Sequence, residues 1–481
     1  MEQRPGIQIS TRAFAQSALI LLALMILAGV LTLVLPAGWY ARATVEGREV
    51  ILPDSYQLAA RPDYPAWRWL TAPIEVLGGP QGLNIITILI FILMIGASFA
   101  VLERAGILQS ALEWIVARLG GRKYVLLLAV SFFFMLLGAF FGIFEEIVPL
   151  VPLMIALAHS LGWDSLVGLG MSILATNVGF SAAITNPFTI GVAQRLAGLP
   201  LYSATLFRIP VFLIFYVLLA LFLVRYARRV ERRPEASPVA REEKATRMRT
   251  LADAPRPAHT PRLGPALIWF GGFLALILLV LVAGPLLPAV RDYALPLVGI
   301  LFLIAGVGAG LVAGAEGKRI LQTVGGGLAG IAPAIPLILM AASVQHIVTQ
   351  GMVIDTLLNR ASLTLSGANP FLSALGIFGL TLGIEFFVAS GSAKAFLLMP
   401  ILVPLADLIG VTRQATVLAY CFGDGFSNLL YPTNPVLLIS LGLTVVTYPK
   451  WLRWSLPLWA GIAALSVAFL ALAVAVGLGP F

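Results

Sequence analysis

The sequence has little charge, one cysteine and few histidines. Only 11% of its 481 residues are charged, whereas 59% are hydrophobic. A soluble protein of this size could not cover its surface with so few charged side chains. Because Cys421 is the single cysteine, disulfides within the chain are excluded and a cysteine-based metal or redox centre is disfavoured. Of the three histidines, His259 lies in a polar linker, so little remains for metal chemistry.

The sequence also lacks the Gly-rich P-loop motif that binds ATP phosphates, which argues against an ATP-driven pump. The net charge is +9, but the basic residues cluster in the connections between apolar segments, where they report membrane topology. The expected partner is therefore a lipid bilayer, and nucleic acid is not expected.

Apolar runs long enough to cross a bilayer are the main feature that is present. A helix needs roughly 20 such residues to span the membrane. The pattern predicts an all-α polytopic membrane protein with about nine full spans plus two re-entrant hairpins. Seven spans are single apolar runs, predicted at 18–36, 83–102, 206–224, 263–283, 294–313, 320–340 and 454–476. The first run has no cleavage site after it and is predicted to be a retained helix.

A polar, helix-breaking motif occurs twice inside apolar sequence. It reads GFS at 179–181 with TNP at 185–187, and GFS at 425–427 with TNP at 433–435. Proline removes a backbone donor and disfavours helix at the residue before it. We therefore predict two transmembrane helices broken at mid-bilayer, over residues 165–196 and 415–443.

Two further apolar stretches, 124–161 and 371–409, are too long for one span and carry polar residues at their middle. The first has Glu145 and Glu146 there, and the second has the segment 390–394. We predict that both are re-entrant hairpins, since non-helical backbone at membrane depth is tolerated only where protein or a watery cavity surrounds it. A short amphipathic stretch precedes each hairpin, at 106–119 and 351–363.

The same order of elements occurs in both halves, which predicts two inverted repeats. The first repeat covers residues 1–225 with an outside loop at 37–82, and the second covers 294–481. Between them lie a basic linker at 226–262 and an extra connecting helix at 263–293. This unpaired crossing inverts the second repeat relative to the first, and inverted repeats are the basis of alternating access.

The basic linker orients the chain in the membrane. It is rich in arginine, has scattered prolines and shows no apolar period, so it is expected to be disordered or loosely helical and cytoplasmic. This places the N-terminus in the cytoplasm and the C-terminus outside. Contact of the linker with anionic lipid stays open as an alternative.

The broken helices are the first candidate site. The freed carbonyls, with Thr185, Asn186, Thr433 and Asn434, form a nest of oxygen ligands that suits a small cation, and Na⁺ is expected near these four residues. The following helix N-termini offer amide donors to an anion. The alternative is that each TNP is an ordinary proline kink.

The hairpin tips are the second candidate site. Glu145 and Glu146 are interpreted as a proton or cation carrier or a partner for a substrate ammonium, the alternative being a solvated pair at headgroup level. Lys394 either pairs with a substrate carboxylate or with Asp424, Glu385 or Asp407, or it extends to water. Asp424 is a candidate ligand of a coupling ion.

The candidate substrate- and ion-binding residues are chosen because they lie at the four breaks and carry hydroxyl, amide, carboxylate, ammonium or freed backbone groups. They are Glu145, Glu146, Asn177, Ser181, Thr185, Asn186, Ser390, Gly391, Ser392, Lys394, Asp424, Ser427, Asn428, Thr433 and Asn434. No catalytic residue and no cofactor is expected apart from Na⁺ or H⁺ as the coupling ion.

The motifs GSAKA at 391–395, PLADLIGVTRQ at 404–414 and FGDGFSN at 422–428 resemble the YfcC-like members of the C4-dicarboxylate anaerobic carrier group. That group belongs to the ion transporter superfamily and is similar in architecture to sodium-coupled dicarboxylate carriers. The resemblance implies that two hairpin tips and two helix breaks form the substrate and ion sites, and that the protein is a homodimer. The chain departs from the family pattern at Lys394 and Pro435.

Together with this resemblance, these features predict a secondary active transporter in the bacterial inner membrane for a small carboxylate-bearing metabolite. Members of the group are assigned to C4-dicarboxylates, to arginine and ornithine exchange, or to short-chain acids, and coupling is to Na⁺, to H⁺ or by exchange. Two alternatives remain. One is an integral-membrane protease of the Glu-Glu type, although residues 147–152 lack the arginine that such enzymes need. The other is a channel.

Overall fold

We analysed a computed structural model, which describes residues 11–45, 48–52, 54–80, 82–111, 120–245, 262–283, 287, 293–365 and 367–479. The described chain is almost entirely helical, as predicted. The helices, in chain order, are α1 (Thr11–Val34), α2 (Trp67–Glu75), α3 (Gly82–Arg104), α4 (Lys123–Leu136), α5 (Val151–Ser160), α6 (Ser165–Leu169), α7 (Ala175–Ser181), α8 (Ile190–Leu196), α9 (Thr205–Arg232), α10 (Leu263–Ala283), α11 (Ala294–Val312), α12 (Gly317–Ile331), α13 (Ala334–Gln350), α14 (Ile354–Leu365), α15 (Pro370–Glu385), α16 (Gly391–Ile409), α17 (Arg413–Phe426), α18 (Pro435–Gly442) and α19 (Tyr448–Ala475).

Strands occur, among the described residues, only in the loop that was predicted to lie outside the membrane. Strands β1 (Gly38–Trp39) and β4 (Gln57–Leu58) pair antiparallel, as do β2 (Arg42–Val45) and β3 (Arg48–Ile51). The amide of Tyr40 and the guanidinium of Arg42 both bind the Asp355 carboxylate on α14, with Arg42 Nη2 2.8 Å from Asp355 Oδ2. The loop is therefore attached to the second half of the chain.

Nine helical segments in the described part of the chain are long and apolar enough to cross a membrane. Their number agrees with the predicted nine spans, but the sets differ. The nine include Lys123–Phe141 and Gly391–Ile409, which were predicted as arms of re-entrant hairpins, whereas the two broken helices are too short in each part to qualify. The chain is thus a multi-pass membrane protein.

Two of the predicted spans are markedly shorter than the helical segments that the structure shows. The span predicted at 320–340 is longer and interrupted, because α12 and α13 meet at Pro333 within an apolar segment that runs from Gly317 to Gln350. Helix α9 extends to Arg232, well past the predicted end at 224, because its last turns are basic and amphipathic rather than apolar.

Part of the basic linker is ordered. After α9 the chain forms a short 3₁₀ turn at Pro234–Ala236, and residues 240–245 are helical. The Ser237 hydroxyl donates to Asp164 Oδ2 at 2.6 Å, and Glu243 accepts a hydrogen bond from the backbone N of Ser165 at 2.7 Å. The linker therefore packs on the start of α6. Its remainder, 246–261, lies outside the described residues, as do residues 112–119 of the first amphipathic stretch.

Each half contains the same interruptions in the same order. We use the name helix pair 1 for α4 and α5 with the segment between them, and helix pair 2 for α15 and α16. Broken helix 1 is α6–α8 and broken helix 2 is α17–α18. A π-helix at Leu137–Phe141 ends the first arm of helix pair 1, and another at Gly170–Leu174 joins α6 to α7.

The packing of the remaining helices is reciprocal between the halves. Helix α3 packs against α11 and α12, while α13 packs against α1 and α2. Helix α1 thus corresponds to α11, and the pair α2–α3 to α12–α13. This agrees with two repeats, whereas their inverted orientation stays a prediction. Both broken helices lie at the centre, with residues 163–184 and 414–429 continuously buried.

Candidate functional site

Residues at the break in broken helix 1 form hydrogen bonds with backbone carbonyls of helix pair 1 that lack a helical partner. Helix pair 1 is interrupted at Gly142, which adopts a left-handed conformation with φ of 68°. The Ala139 carbonyl, left free there, accepts hydrogen bonds from the amides of Ile184 at 2.9 Å and Thr185 at 3.1 Å. The Thr185 hydroxyl donates to the Phe140 carbonyl at 3.0 Å. The first tip and the first break therefore form one hydrogen-bonded unit.

The asparagine side chains of both TNP motifs accept hydrogen bonds from backbone amides that the helix breaks leave without a helical partner. Asn186 Oδ1 accepts from the amides of Phe188 at 2.9 Å and Thr189 at 3.2 Å. Asn434 Oδ1 accepts from the amide of Val436 at 2.9 Å, which caps α18. A cation near these residues would have to share Asn186 Oδ1 with two amide donors. The Thr433 hydroxyl, by contrast, is buried without a hydrogen-bond partner among the described residues and could serve as a ligand.

The two GFS turns touch each other. Ser181 and Ser427 each donate their hydroxyl to a carbonyl one turn earlier, those of Asn177 at 2.8 Å and Gly423 at 2.9 Å. A Cβ atom built on Gly425 would lie 2.6 Å from Ser181 Cα, closer than real contacts allow. Gly425 is thus required by the close approach of the two broken helices.

The tip of helix pair 2 lies against both broken helices. A Cβ atom on Gly391 would lie 2.9 Å from Asp424 Oδ2 and 3.0 Å from Thr189 Cγ2. The Tyr420 hydroxyl donates a hydrogen bond to the Gly391 carbonyl. Ser390 occupies the N-cap position of α16 without a side-chain cap bond, so its hydroxyl is not used to close the helix.

Lys394 is fully buried between two carboxylates. Its Nζ is 2.7 Å from Asp424 Oδ1 and contacts Glu385 Oε2. Sequence reasoning named both partners and left extension to water as the alternative. The structure contradicts that alternative, because Lys394 has an exposed fraction of 0%. The third named partner, Asp407, pairs instead with Arg413 at the exposed end of α16, with Arg413 Nη2 2.7 Å from Asp407 Oδ2.

Glu145 and Glu146 lie at the tip of helix pair 1, in a 3₁₀ turn. Glu145 is exposed and Glu146 partly so, and Glu146 Oε2 accepts from the Phe144 amide at 3.3 Å. The ring of Phe144 packs on Phe180 of the first GFS motif, with centroids 5.6 Å apart. Neither glutamate forms an ion pair with a described residue, so both carboxylates are available to a ligand.

Asn177 and Asn428 complete the polar residues of the breaks. Asn428 Oδ1 accepts from Asn434 Nδ2 at 2.9 Å, which braces the second break internally. Asn177 is completely buried, and neither atom of its amide has a hydrogen-bond partner in the described part of the chain. A buried amide without partners is costly. It is therefore a candidate contact for a polar solute or water.

Sequence reasoning named Glu385 only as one possible partner of Lys394, outside the list of site residues, and did not name Thr189. Glu385 ends α15 and lies in the buried ion cluster, while Thr189 follows the first TNP motif and meets Gly391. An acidic residue within an apolar segment is a usable signal for a functional position, and Glu385 carried it. Thr189 had no comparable signal, because its position depends on contact between the two repeats.

A cavity of about 400 Å³ opens between the β-strand loop and helix pair 2. Its lining includes Arg42 and Asp355 from the loop attachment, and Val388 and Ala393, which flank the tip of helix pair 2. The cavity therefore extends from the loop predicted to lie outside toward the segment that holds Lys394.

Comparison with known proteins identifies the family. The family model of the C4-dicarboxylate anaerobic carriers (DcuC) matches residues 14–476. The Escherichia coli K12 protein named as a putative basic amino acid antiporter, YfcC, is 29% identical, with 92% of each chain covered. An uncharacterised Haemophilus influenzae protein is 24% identical over 92% of this chain and 94% of its own.

Two solved structures align with most of the chain at low similarity. The Alcanivorax borkumensis YdaH transporter gives a TM-score of 0.43 with 22% identity, covering 97% of this chain and 99% of its own. Neisseria gonorrhoeae MtrF, described as one of a class of antimetabolite efflux pumps, gives 0.42 with 18% identity, covering 95% of each chain. The family match and the relatives identify a membrane transporter rather than an enzyme, with a small-molecule substrate. The chain belongs to the C4-dicarboxylate anaerobic carrier family.

Proposed function

We propose that this protein is a secondary active transporter that moves a small carboxylate-bearing metabolite across the bacterial inner membrane by alternating access. The observation that carries the proposal is the meeting of the helix breaks. The first break contacts the first tip through Thr185, the second tip through Thr189, and the second break through Ser181. Polar breaks gathered in the buried centre of a membrane protein are the arrangement that carriers use to hold a solute.

The second tip is the proposed contact for a substrate carboxylate. Backbone amides at the start of α16, with the Ser390 and Ser392 hydroxyls, supply hydrogen-bond donors at the positive end of a 19-residue helix. The family description supports a C4-dicarboxylate as the substrate.

A basic amino acid such as arginine or ornithine is the second candidate substrate. It is supported by Glu145 and Glu146, which have no ion-pair partner among the described residues and could receive an ammonium or guanidinium group. The printed name of the Escherichia coli relative also supports it. In this version transport is by exchange of one amino acid for another.

Coupling to Na⁺, coupling to H⁺ and exchange are separate forms of the same proposal.

We place the N-terminus in the cytoplasm and the C-terminus outside, on the basis of the basic residues that follow α9. A homodimer is proposed from the family resemblance alone.

Uptake into proteoliposomes tests the proposal. Labelled succinate, arginine and ornithine are offered under imposed Na⁺ or H⁺ gradients, with and without internal substrate. We expect saturable uptake of one class, stimulated by internal substrate. Single-channel currents without saturation would favour a channel instead.

The site assignment is tested with Asn186→Ala and Asn434→Ala. Both should lower uptake and substrate binding at least tenfold, since each asparagine oxygen accepts hydrogen bonds from the backbone amides that are unpaired at its break. Asp407→Ala, at the exposed end of α16, serves as the control and should retain uptake. If both asparagine variants transport and bind as the parent protein does, the breaks are not the site.

A further inference from the structure

The ion cluster at the second tip combines three different elements. Lys394 comes from the first turn of α16, Glu385 from the last residue of α15, and Asp424 from α17 just before the second break. All three side chains are at most 1% exposed. Two carboxylates buried this deeply must be compensated, by protonation or by a cation between them, because an uncompensated pair would be strongly destabilising.

Among the described residues, no neutral hydrogen-bond donor helps to compensate the charge of the two carboxylates. None of the four carboxylate oxygens of Glu385 and Asp424 accepts a hydrogen bond from a described residue apart from the ion contacts with Lys394. An ammonium is a compact point charge. It occupies the place where two hard oxygen ligands from different helices converge, which is the environment that a small inorganic cation prefers.

We propose that Glu385 and Asp424 form the cation site of the carrier and that the Lys394 ammonium is its resident cation, so that transport does not require Na⁺. This inference rests on the proposed transport function and concerns its coupling. Lys394 performs, as part of the chain, the neutralisation that a bound ion would otherwise supply. Transport is then driven by H⁺ or by exchange.

The position of the cluster explains how a cation attached to the chain could act at a tip that moves during transport. Gly391 is in close contact with Asp424 and Thr189, and the Tyr420 hydroxyl holds its carbonyl. Displacement of the second tip must therefore carry the ammonium with it. Asp424, on broken helix 2, stays paired with the ammonium only while the tip is seated, whereas Glu385 lies on the other arm of helix pair 2; this favours the closed tip without any ion from solution.

Removing the ammonium should create a Na⁺ site. In Lys394→Ala the space between Glu385 and Asp424 becomes open to a hydrated cation. The purified variant is expected to gain roughly 2–4 °C in its unfolding midpoint when saturating NaCl replaces choline chloride, as binding to the folded state requires. The parent protein should give the same midpoint in both salts. In proteoliposomes the parent should transport equally with and without Na⁺, whereas the variant should depend on Na⁺.

Matched variants distinguish Na⁺ binding at Glu385 and Asp424 from a general effect of replacing Lys394. Lys394→Arg keeps a cation and should remain indifferent to Na⁺. Lys394→Ala combined with Asp424→Asn should lose the Na⁺ response, while combination with Asp407→Asn, on the same helix but outside the cluster, should keep it. If Lys394→Ala does not fold, Lys394→Met provides the same test with a side chain of similar length.

Two results would overturn the inference: a parent protein whose midpoint or uptake rises with Na⁺, or a Lys394→Ala protein that responds to Na⁺ no more than the parent. If no variant transports any tested substrate but the midpoint of Lys394→Ala rises with Na⁺, the transport proposal fails while the cation site stands.

Discussion

At the scale of single residues, Glu75 shows how a charged group outside the membrane-spanning helices joins parts of the chain. It accepts hydrogen bonds from Arg68 Nη2 and Thr71 Oγ1, both at 2.6 Å, and His346 Nε2 on α13 is 3.4 Å from its carboxylate. The hydrogen-bonded Arg68 guanidinium is the main reason that the pKa of the Glu75 carboxyl falls from 4.5 to about 2. The lowered pKa means that the folded protein favours the ionised form.

The Glu75 cluster should make stability depend on acid pH. Since the folded pKa is below the unfolded one, its contribution is present above pH 4.5 and is lost as the pH falls toward 2. Glu75→Gln should cost about 1–2 kcal/mol near neutral pH, after allowance for partial exposure, and should flatten the acid-dependent fall. Unfolding midpoints in detergent between pH 7 and 3 measure this. Glu316→Gln, which removes a highly exposed ion pair, should be nearly neutral at every pH. A Glu75→Gln curve that parallels the parent curve would contradict the assignment.

The Lys394 cluster shows which part of the site residue types could predict and which part depends on the fold. The sequence indicated that a buried lysine needed a carboxylate and offered three. The choice of Glu385 and Asp424 over Asp407 depends on which helices meet at the tip, and a one-dimensional pattern does not contain that information. Asp407 lies thirteen positions further along α16, at the far end of the same helix, where water and Arg413 are available.

At the scale of elements, the caps and breaks were predictable because proline and asparagine have specific backbone effects. Both breaks lie where the TNP motifs placed them, and α18 begins at Pro435 with Asn434 as its cap. The two π-helices were not predicted, because a single extra residue in a turn leaves no compositional signal. The division of the 317–350 segment at Pro333 was missed because hydropathy averages over it.

The cap of α18 can be tested directly. Asn434→Ala removes the oxygen that accepts the Val436 amide and should destabilise the protein by about 1 kcal/mol. Asn434→Ser keeps a neutral cap oxygen but loses the donation to Asn428, so it should recover most of the cap energy without recovering transport. Unfolding midpoints and uptake, measured on the same preparations, separate the two roles. Equal midpoints for both variants would show that the cap contributes nothing.

The contact between the broken helices gives a second test at this scale. Gly425→Ala would place a methyl group 2.6 Å from Ser181 Cα, so the helices must separate, at a cost of about 1–3 kcal/mol, and transport should be lost. Gly383→Ala, on the exposed face of α15 with nothing within 4 Å of the new methyl group, is the matched control. It should be neutral or stabilising by up to about 1 kcal/mol. Normal transport by Gly425→Ala would mean that the close approach is not needed.

At the scale of the whole molecule, the repeated order of elements was predictable because the interruptions recur in the sequence. The reciprocal packing of α3 with α11 and of α13 with α1 was not, since the partners lie in different halves and are uniformly apolar. Helix α10, predicted to be the extra crossing, packs on α11. It is the element that would invert the second repeat.

Sidedness of the two helix pairs tests the inversion. In a Cys421→Ala background, Ser160→Cys at the exposed end of α5 should react with a membrane-impermeant maleimide only in inside-out vesicles. Leu408→Cys, 77% exposed near the end of α16, should react only in right-side-out spheroplasts. The reason is that inverted repeats open their helix pairs to opposite sides. Labelling of both positions from one side would rule out the inverted arrangement.

The direct contact of Gly425 with Ser181 has a consequence for stoichiometry. Because Gly425 has no side chain, Ser181 packs directly against the backbone of broken helix 2, which leaves little room to absorb the displacement of one broken helix while the other stays in place. Packed contacts of this kind change between discrete arrangements rather than deforming gradually. Both breaks should therefore change together in every cycle, so that the carrier does not leak and each solute molecule crosses in a fixed ratio to the species that drives it.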